Sequence, residues 1–183
     1  MTERAYLLGD SHAQVLGPVL QGLLQPKCDL SYDAFSGYGT MRAATAARIP
    51  AKLDLAIVVL GGNDFGDQRD ARAALVHRLQ KTGAKVYWFG PAHALEPGVD
   101  KRHQEQTASQ AGQLPGLGVR WYDSRPWTTG EHTPDGVHFT RQGYEAWALR
   151  IVEVVRETSW WRWGVAGLGA VCAWLLWRVL RRK

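Results

Sequence analysis

The chain has 183 residues, room for one compact α/β domain and a short appendage but not for two enzyme-sized domains. Lys and Arg total 22 against 17 Asp and Glu, yet Arg162, Arg178, Arg181, Arg182 and Lys183 all follow Glu157, so residues 1–157 are balanced. An excess confined to a tail excludes a basic nucleic-acid-binding face, and two cysteines, Cys28 and Cys172, exclude a disulfide framework or a cysteine-based zinc site.

The first apolar run, Ala5 to Leu8, predicts a β-strand that ends in Gly9-Asp10-Ser11-His12. Asp10 arrives before an apolar stretch of signal-peptide length has accumulated, so no cleavable secretion signal is expected. A helix over Ala13 to Leu24 follows, then a strand from about Leu30 to Phe35 that ends in Ser36-Gly37-Tyr38-Gly39-Thr40. Met41 to Ile49 has helical period, and Leu55 to Leu60 is a third strand, ending in Gly61-Gly62-Asn63-Asp64. Asp67 to Thr82 predicts a helix with Gly83 at its C-cap, before a fourth strand over Lys85 to Phe89. A polar, solvated helix is expected over Asp100 to Gln113 and a fifth strand over Val119 to Tyr122. A long loop from Asp123 to Val137 leads to a closing helix, Arg141 to Glu157, with Tyr144, Trp147, Ile151, Val154 and Val155 on one face. Short apolar runs alternating with helical segments predict a parallel sheet clad in helices, whose ligands bind beyond the carboxyl ends of the strands.

Residues 160–180 read WWRWGVAGLGAVCAWLLWRVL, about 21 residues that as a helix would span roughly 30 Å, the thickness of a bilayer core. The interior from Trp163 to Trp177 is uncharged, and tryptophans at both ends flank Arg162 and Arg178 in the manner of an interfacial belt. A membrane anchor over residues 158–183 is therefore expected beside a catalytic domain over residues 1–157, in preference to a buried or surface-lying C-terminal helix. Without a signal peptide the catalytic domain is expected to face the cytoplasm, although the slight excess of basic residues beyond the span favours the other orientation. Gly169 and Ala173, four apart, would permit weak self-association through the span.

Three strand ends and the last loop carry the chemistry. A serine attacks an acyl carbon at neutral pH only if a base takes its proton and a third group orients that base. Ser11 follows a strand on a tight turn into a helix, where the helix N-terminus favours developing negative charge; the same position also suits an N-cap. In Asp135-Gly136-Val137-His138 the spacing brings a carboxylate to an imidazole, which makes His138 the candidate base and Asp135 its orienting partner. Asp100 and His103 have the same spacing and are read as structural. The Asn63 side-chain amide and the Gly37 backbone N–H are candidate donors to the oxyanion of a tetrahedral intermediate. His93 and His132 are read as loop residues.

Gly9-Asp10-Ser11, Gly37 within Ser36-Gly37-Tyr38, Gly61-Gly62-Asn63-Asp64 and Asp135-Gly136-Val137-His138 resemble, in order, the four sequence blocks of the SGNH (GDSL-type) hydrolases, over about residues 5–155. The resemblance implies a flavodoxin-like three-layer α/β/α sandwich with a five-stranded parallel sheet in the order 2-1-3-4-5. It implies Ser11 as nucleophile, His138 as base, Asp135 as its partner, and an oxyanion hole from Ser11 N–H, Gly37 N–H and the Asn63 side chain, with no cofactor and no metal. Gly39 competes with Gly37 for the oxyanion role. His12, directly after the nucleophile, resembles members linked to sugar O-acetyl transfer or removal, and equally fits a residue that supports the site from beneath or lies exposed. The Gly-x-Ser-x-Gly elbow of α/β-hydrolases is absent because position 13 is Ala. The expected function is hydrolysis of a small ester, an acetylated carbohydrate for instance, through an acyl-enzyme. O-acyl transfer to a carbohydrate by the same residues, and a non-catalytic membrane-tethered scaffold, are the alternatives.

Overall fold

The structure is a computed structural model and describes residues 2–158. The chain divides into two compact units, Met1–Leu149 and Arg150–Lys183. Of the second, only the end of the last helix is described, where Arg150 pairs with Glu153 at 2.8 Å. The expected membrane anchor, its aromatic belt and its basic tail lie outside the described residues, and among the described residues no helix is long and apolar enough to cross a membrane.

Five strands, β1 (Glu3–Gly9), β2 (Cys28–Ala34), β3 (Leu55–Val59), β4 (Lys85–Phe89) and β5 (Arg120–Tyr122), form one sheet in the order β2-β1-β3-β4-β5, every pairing parallel. This is the order that the four sequence blocks imply. Among the described residues five α-helices connect or close it: α1 (Ser11–Leu24), α2 (Thr40–Ala46), α3 (Arg69–Gln80), α4 (Pro97–Gln113) and α5 (Arg141–Thr158). On one face Tyr6, Leu8, Ala56, Val58, Val86 and Trp88 pack with Ala43 of α2 and Leu75, Val76 and Leu79 of α3 in a single buried cluster. On the other face α1 meets the start of α5, where the His12 ring lies 5.6 Å from that of Trp147. Strands buried on both faces explain why β3 is apolar throughout rather than alternating.

Several element ends differ from those expected of hydrophobic periodicity, each for a local polar reason. β1 and β2 start two residues earlier than their apolar runs because backbone pairing does not need apolar side chains: Glu3 N–H donates to Lys27 O, and Arg4 is held by Asp54. β3 stops at Val59, and the Leu60 carbonyl outside it accepts from Gln110 Nε2 and Trp88 Nε1 instead of a neighbouring strand. α1 begins at Ser11 rather than Ala13 because Asp10 is its cap, accepting from His12 N–H at 3.0 Å. α2 ends at Ala46 instead of Ile49, where Arg78 donates to the carbonyls of Ala43, Ala44 and Ala47. α4 starts three residues before Asp100, with Glu96 accepting from Gly98 and Val99 N–H and Pro97 in the first turn.

The expectation of a solvated α4 is corrected: its inward face is polar yet buried. Gln110 Nε2 donates to Leu60 O at 3.0 Å, Gln106 Nε2 to Gly66 O at 3.1 Å, and His103 Nδ1 lies 2.7 Å from Ala92 O. Arg72 of α3, fully buried, donates to Gln113, Gln106 and Ser109 of the same helix. Amides and an imidazole thus occupy a helix face that usually carries leucines, because each has a backbone or side-chain partner that offsets its desolvation.

Candidate active site

At the carboxyl end of β1 the chain must turn at once into α1. Gly9 permits this, since a Cβ there would stand 2.4 Å from both Val59 O and Ala13 Cβ. Asp10 then caps the helix with its own carboxylate, which leaves the Ser11 hydroxyl free of the capping role. Ser11 Oγ instead lies 3.0 Å from His138 Nε2.

His138 is delivered by a tight turn. Gly136 adopts a φ of 69°, and Asp135 Oδ1 accepts from the N–H groups of Val137 and His138, both at 2.9 Å, and from Thr133 Oγ1 at 2.8 Å. The second oxygen, Oδ2, is thereby aimed at His138 Nδ1, 2.7 Å away. The Val137 N–H, the His138 ring and the His138 N–H, in that order, hold the Asp135 carboxyl well below the usual carboxylate range, so it is ionised at neutral pH. Asp135 Oδ2, His138 Nδ1, His138 Nε2 and Ser11 Oγ therefore form a continuous hydrogen-bonded relay, drawn from two segments 127 residues apart at its far step.

The relay opens onto a cavity of about 210 Å³ lined by, among others, Ser11, Gly37, Gly62, Asn63, Arg102 and His138. Gly37 borders this cavity, while Gly39 caps α2 and a Cβ there would stand 3.0 Å from Asp64 Oδ1. Asn63 Nδ2 donates to Tyr38 O at 3.1 Å, which fixes the plane of the amide and leaves its second hydrogen for another acceptor. The neighbouring Asp64 is buried and braces the start of α2, accepting from Thr40 N–H and Thr40 Oγ1, both at 2.6 Å.

Beneath the relay lies a second set of ionisable groups. His12 is buried, so the exposed alternative is corrected. Its Nδ1 lies 3.0 Å from the Tyr144 hydroxyl and its ring 5.2 Å from that of His138, and burial depresses its pKa to about 3, which keeps it neutral. Asp10, also buried, is pushed up to about 7 by loss of hydration, against the opposing pull of the His12 N–H. His103 is likewise lowered by burial and lines the cavity. His93 and His132 stand on loops, with His132 Nε2 3.1 Å from His93 O. Among the described residues no group of three His, Cys, Asp or Glu converges where an ion could be held.

Sequence reasoning missed two of these residues. Asp10 had a legible signal, a carboxylate directly before Ser-His at a strand-to-helix junction. Arg102 had none, since nothing in the polar α4 sequence distinguishes an inward residue from a solvated one.

No protein-family profile and no curated protein sequence matches the chain. Solved structures do. A lipase/acylhydrolase from Enterococcus faecalis superposes with a TM-score of 0.65 at 16% identity, covering 85% of this chain and 96% of its own. Est24, a carbohydrate acetylesterase from Sinorhizobium meliloti, gives 0.69 at 15% identity, covering 86% and 100%, and TesA gives 0.69 at 17%, covering 85% and 99%. At such identities the likeness is one of fold, consistent with the fold that the four sequence blocks imply.

Proposed function

We propose that this chain is a serine ester hydrolase that works through an acyl-enzyme. The observation that carries the reading is the relay from Ser11 Oγ to His138 at 3.0 Å and from His138 to Asp135 at 2.7 Å, with the serine freed from capping by Asp10. Ser11 Oγ attacks the ester carbonyl while His138 Nε2 takes its proton, and Asp135 holds the imidazole in the required tautomer and stabilises the cation that forms. The oxyanion of the tetrahedral intermediate is met by Ser11 N–H at the start of α1, by Gly37 N–H and by the free hydrogen of Asn63 Nδ2. His138 then returns the proton to the leaving alcohol, and a water molecule, activated by the same imidazole, releases the acid and restores Ser11.

The small cavity favours a short acyl group such as acetyl, since about 210 Å³ falls below the roughly 300 Å³ of a drug-sized ligand site. The carbohydrate acetylesterase among the similar structures supports a small acylated sugar as the substrate class.

Intact mass of the full chain after exposure to a fluorophosphonate tests the reading. A single adduct is expected, absent in Ser11→Ala and His138→Ala, together with a loss of about 10³-fold or more in kcat on a short-chain aryl ester. Absence of an adduct on folded protein sinks it in favour of a binding scaffold. Added sugar acceptors that divert the acyl group from water into an acylated sugar redirect it to acyl transfer.

A further inference from the structure

Arg102 stands in the candidate site with no part in the reaction described above. It lies on α4 and lines the same cavity as Ser11 and His138. Its Nε donates to Gly62 O at 3.2 Å, and its guanidinium carbon lies 4.8 Å from the centre of the Phe65 ring. These two contacts hold the group and, among the described residues, leave both terminal nitrogens without a protein acceptor. Among the described residues, no carboxylate is within ion-pair distance of it. The acids around it are engaged elsewhere: Glu96 with Gly98 and Val99 N–H, Asp64 with Thr40, and buried Asp10 with His12 N–H. Phe65, 70% exposed, has no core to fill; its ring is the surface on which the guanidinium rests.

A guanidinium is charged at every working pH, and its planar fork matches a carboxylate through two parallel hydrogen bonds. Held in place beforehand, it loses little freedom on binding. We propose that Arg102 makes this site selective for esters that carry a carboxylate on their acyl or alcohol part, the carboxylate docking on the free edge of Arg102 while Ser11 meets the ester carbonyl. The proposal rests on the hydrolase reading. A purely mechanical role for Arg102, as a clamp between α4 and Gly62, predicts something different: its loss would then affect neutral and charged esters alike.

The test uses the full chain and two matched pairs of esters. On the acyl side these are para-nitrophenyl butyrate and para-nitrophenyl hydrogen glutarate; on the alcohol side, phenyl acetate and para-acetoxybenzoate. In at least one pair Arg102→Gln is expected to lower the ratio of kcat/KM for the charged ester over the neutral one by about tenfold or more, and Arg102→Lys by less. Added salt lowers the same ratio in the unsubstituted protein and leaves it unmoved in Arg102→Gln. An unchanged ratio in both pairs overturns the carboxylate specificity and leaves hydrolysis standing. Failure to turn over any of the four esters, with no adduct on Ser11, overturns the hydrolase reading instead. Should Arg102→Gln not fold, the unsubstituted protein decides, and a charged-to-neutral ratio indifferent to salt in both pairs overturns the proposal.

Discussion

Asp100 and His103 are three residues apart, as are Asp135 and His138, but only the second pair closes. His138 Nδ1 lies 2.7 Å from Asp135 Oδ2, whereas Asp100 pairs with Arg125 at 2.7 Å and His103 Nδ1 lies 2.7 Å from Ala92 O. Competition explains the difference. Within α4 the carboxylate of Asp100 is claimed by a guanidinium and by Ala94 N–H, and the imidazole is drawn inward to a backbone carbonyl. In the turn after Thr133 no Arg or Lys among the described residues pairs with Asp135; one oxygen is held by backbone N–H groups and the other faces the ring. Spacing makes a pair possible, and the partners that tertiary structure supplies decide whether it forms.

Removing each carboxylate in turn separates the two pairs most clearly. Asp135→Asn is expected to lower kcat on a short-chain ester by about 10²–10⁴-fold, since the amide presents a donor where His138 needs an acceptor, with the unfolding midpoint little changed. Asp100→Asn should do the reverse. It breaks a mostly buried ion pair with Arg125 and is expected to cost about 2 kcal/mol in urea denaturation. The Arg125 guanidinium holds the Asp100 carboxyl well below its ordinary range. The stabilisation is therefore present above the carboxylate's unfolded pKa and is lost as pH falls through its folded value, so wild type and variant converge in acid. Equal activity losses in the two variants would break the comparison.

A smaller effect comes from the pair beneath the relay. Asp10, raised to about 7, binds a proton in the fold that the unfolded chain releases, so its contribution to stability falls as pH rises from about 4 to 7. His12, lowered to about 3, runs the opposite way: the unfolded chain binds the proton, and stability rises with pH up to about 6.5. The two slopes oppose each other in wild type. Asp10→Asn keeps the helix cap and removes one of them, so urea denaturation at pH 5 and pH 6.5 should show the variant more stable at the higher pH, with a steeper dependence than wild type. A variant whose dependence matches that of wild type would show that Asp10 stays ionised throughout.

Much of the architecture was legible because it rests on local periodicity. Strand runs such as Lys85 to Phe89 and amphipathic segments such as α1 bury their apolar faces whatever surrounds them, and the clusters at 9–12, 36–40 and 61–64 punctuate the strands where a parallel sheet must turn. Element ends were less legible, since Asp10, Glu96 and Arg78 set them through polar contacts to backbone that no apolar pattern records. The buried polar face of α4 was not legible at all: Gln106 and Gln110 read as solvated until Gly66 and Leu60 are placed opposite them.

By itself, then, the sequence determined the sheet, its helices and the residue types able to activate a serine, because side-chain polarity and turn chemistry act within a few residues of the chain. Tertiary structure decided that His138 reaches Ser11 and that Arg102 shares its cavity. Each depends on a hydrogen bond or an approach between residues far apart in the chain, and only the packed fold brings those partners within reach and denies them others.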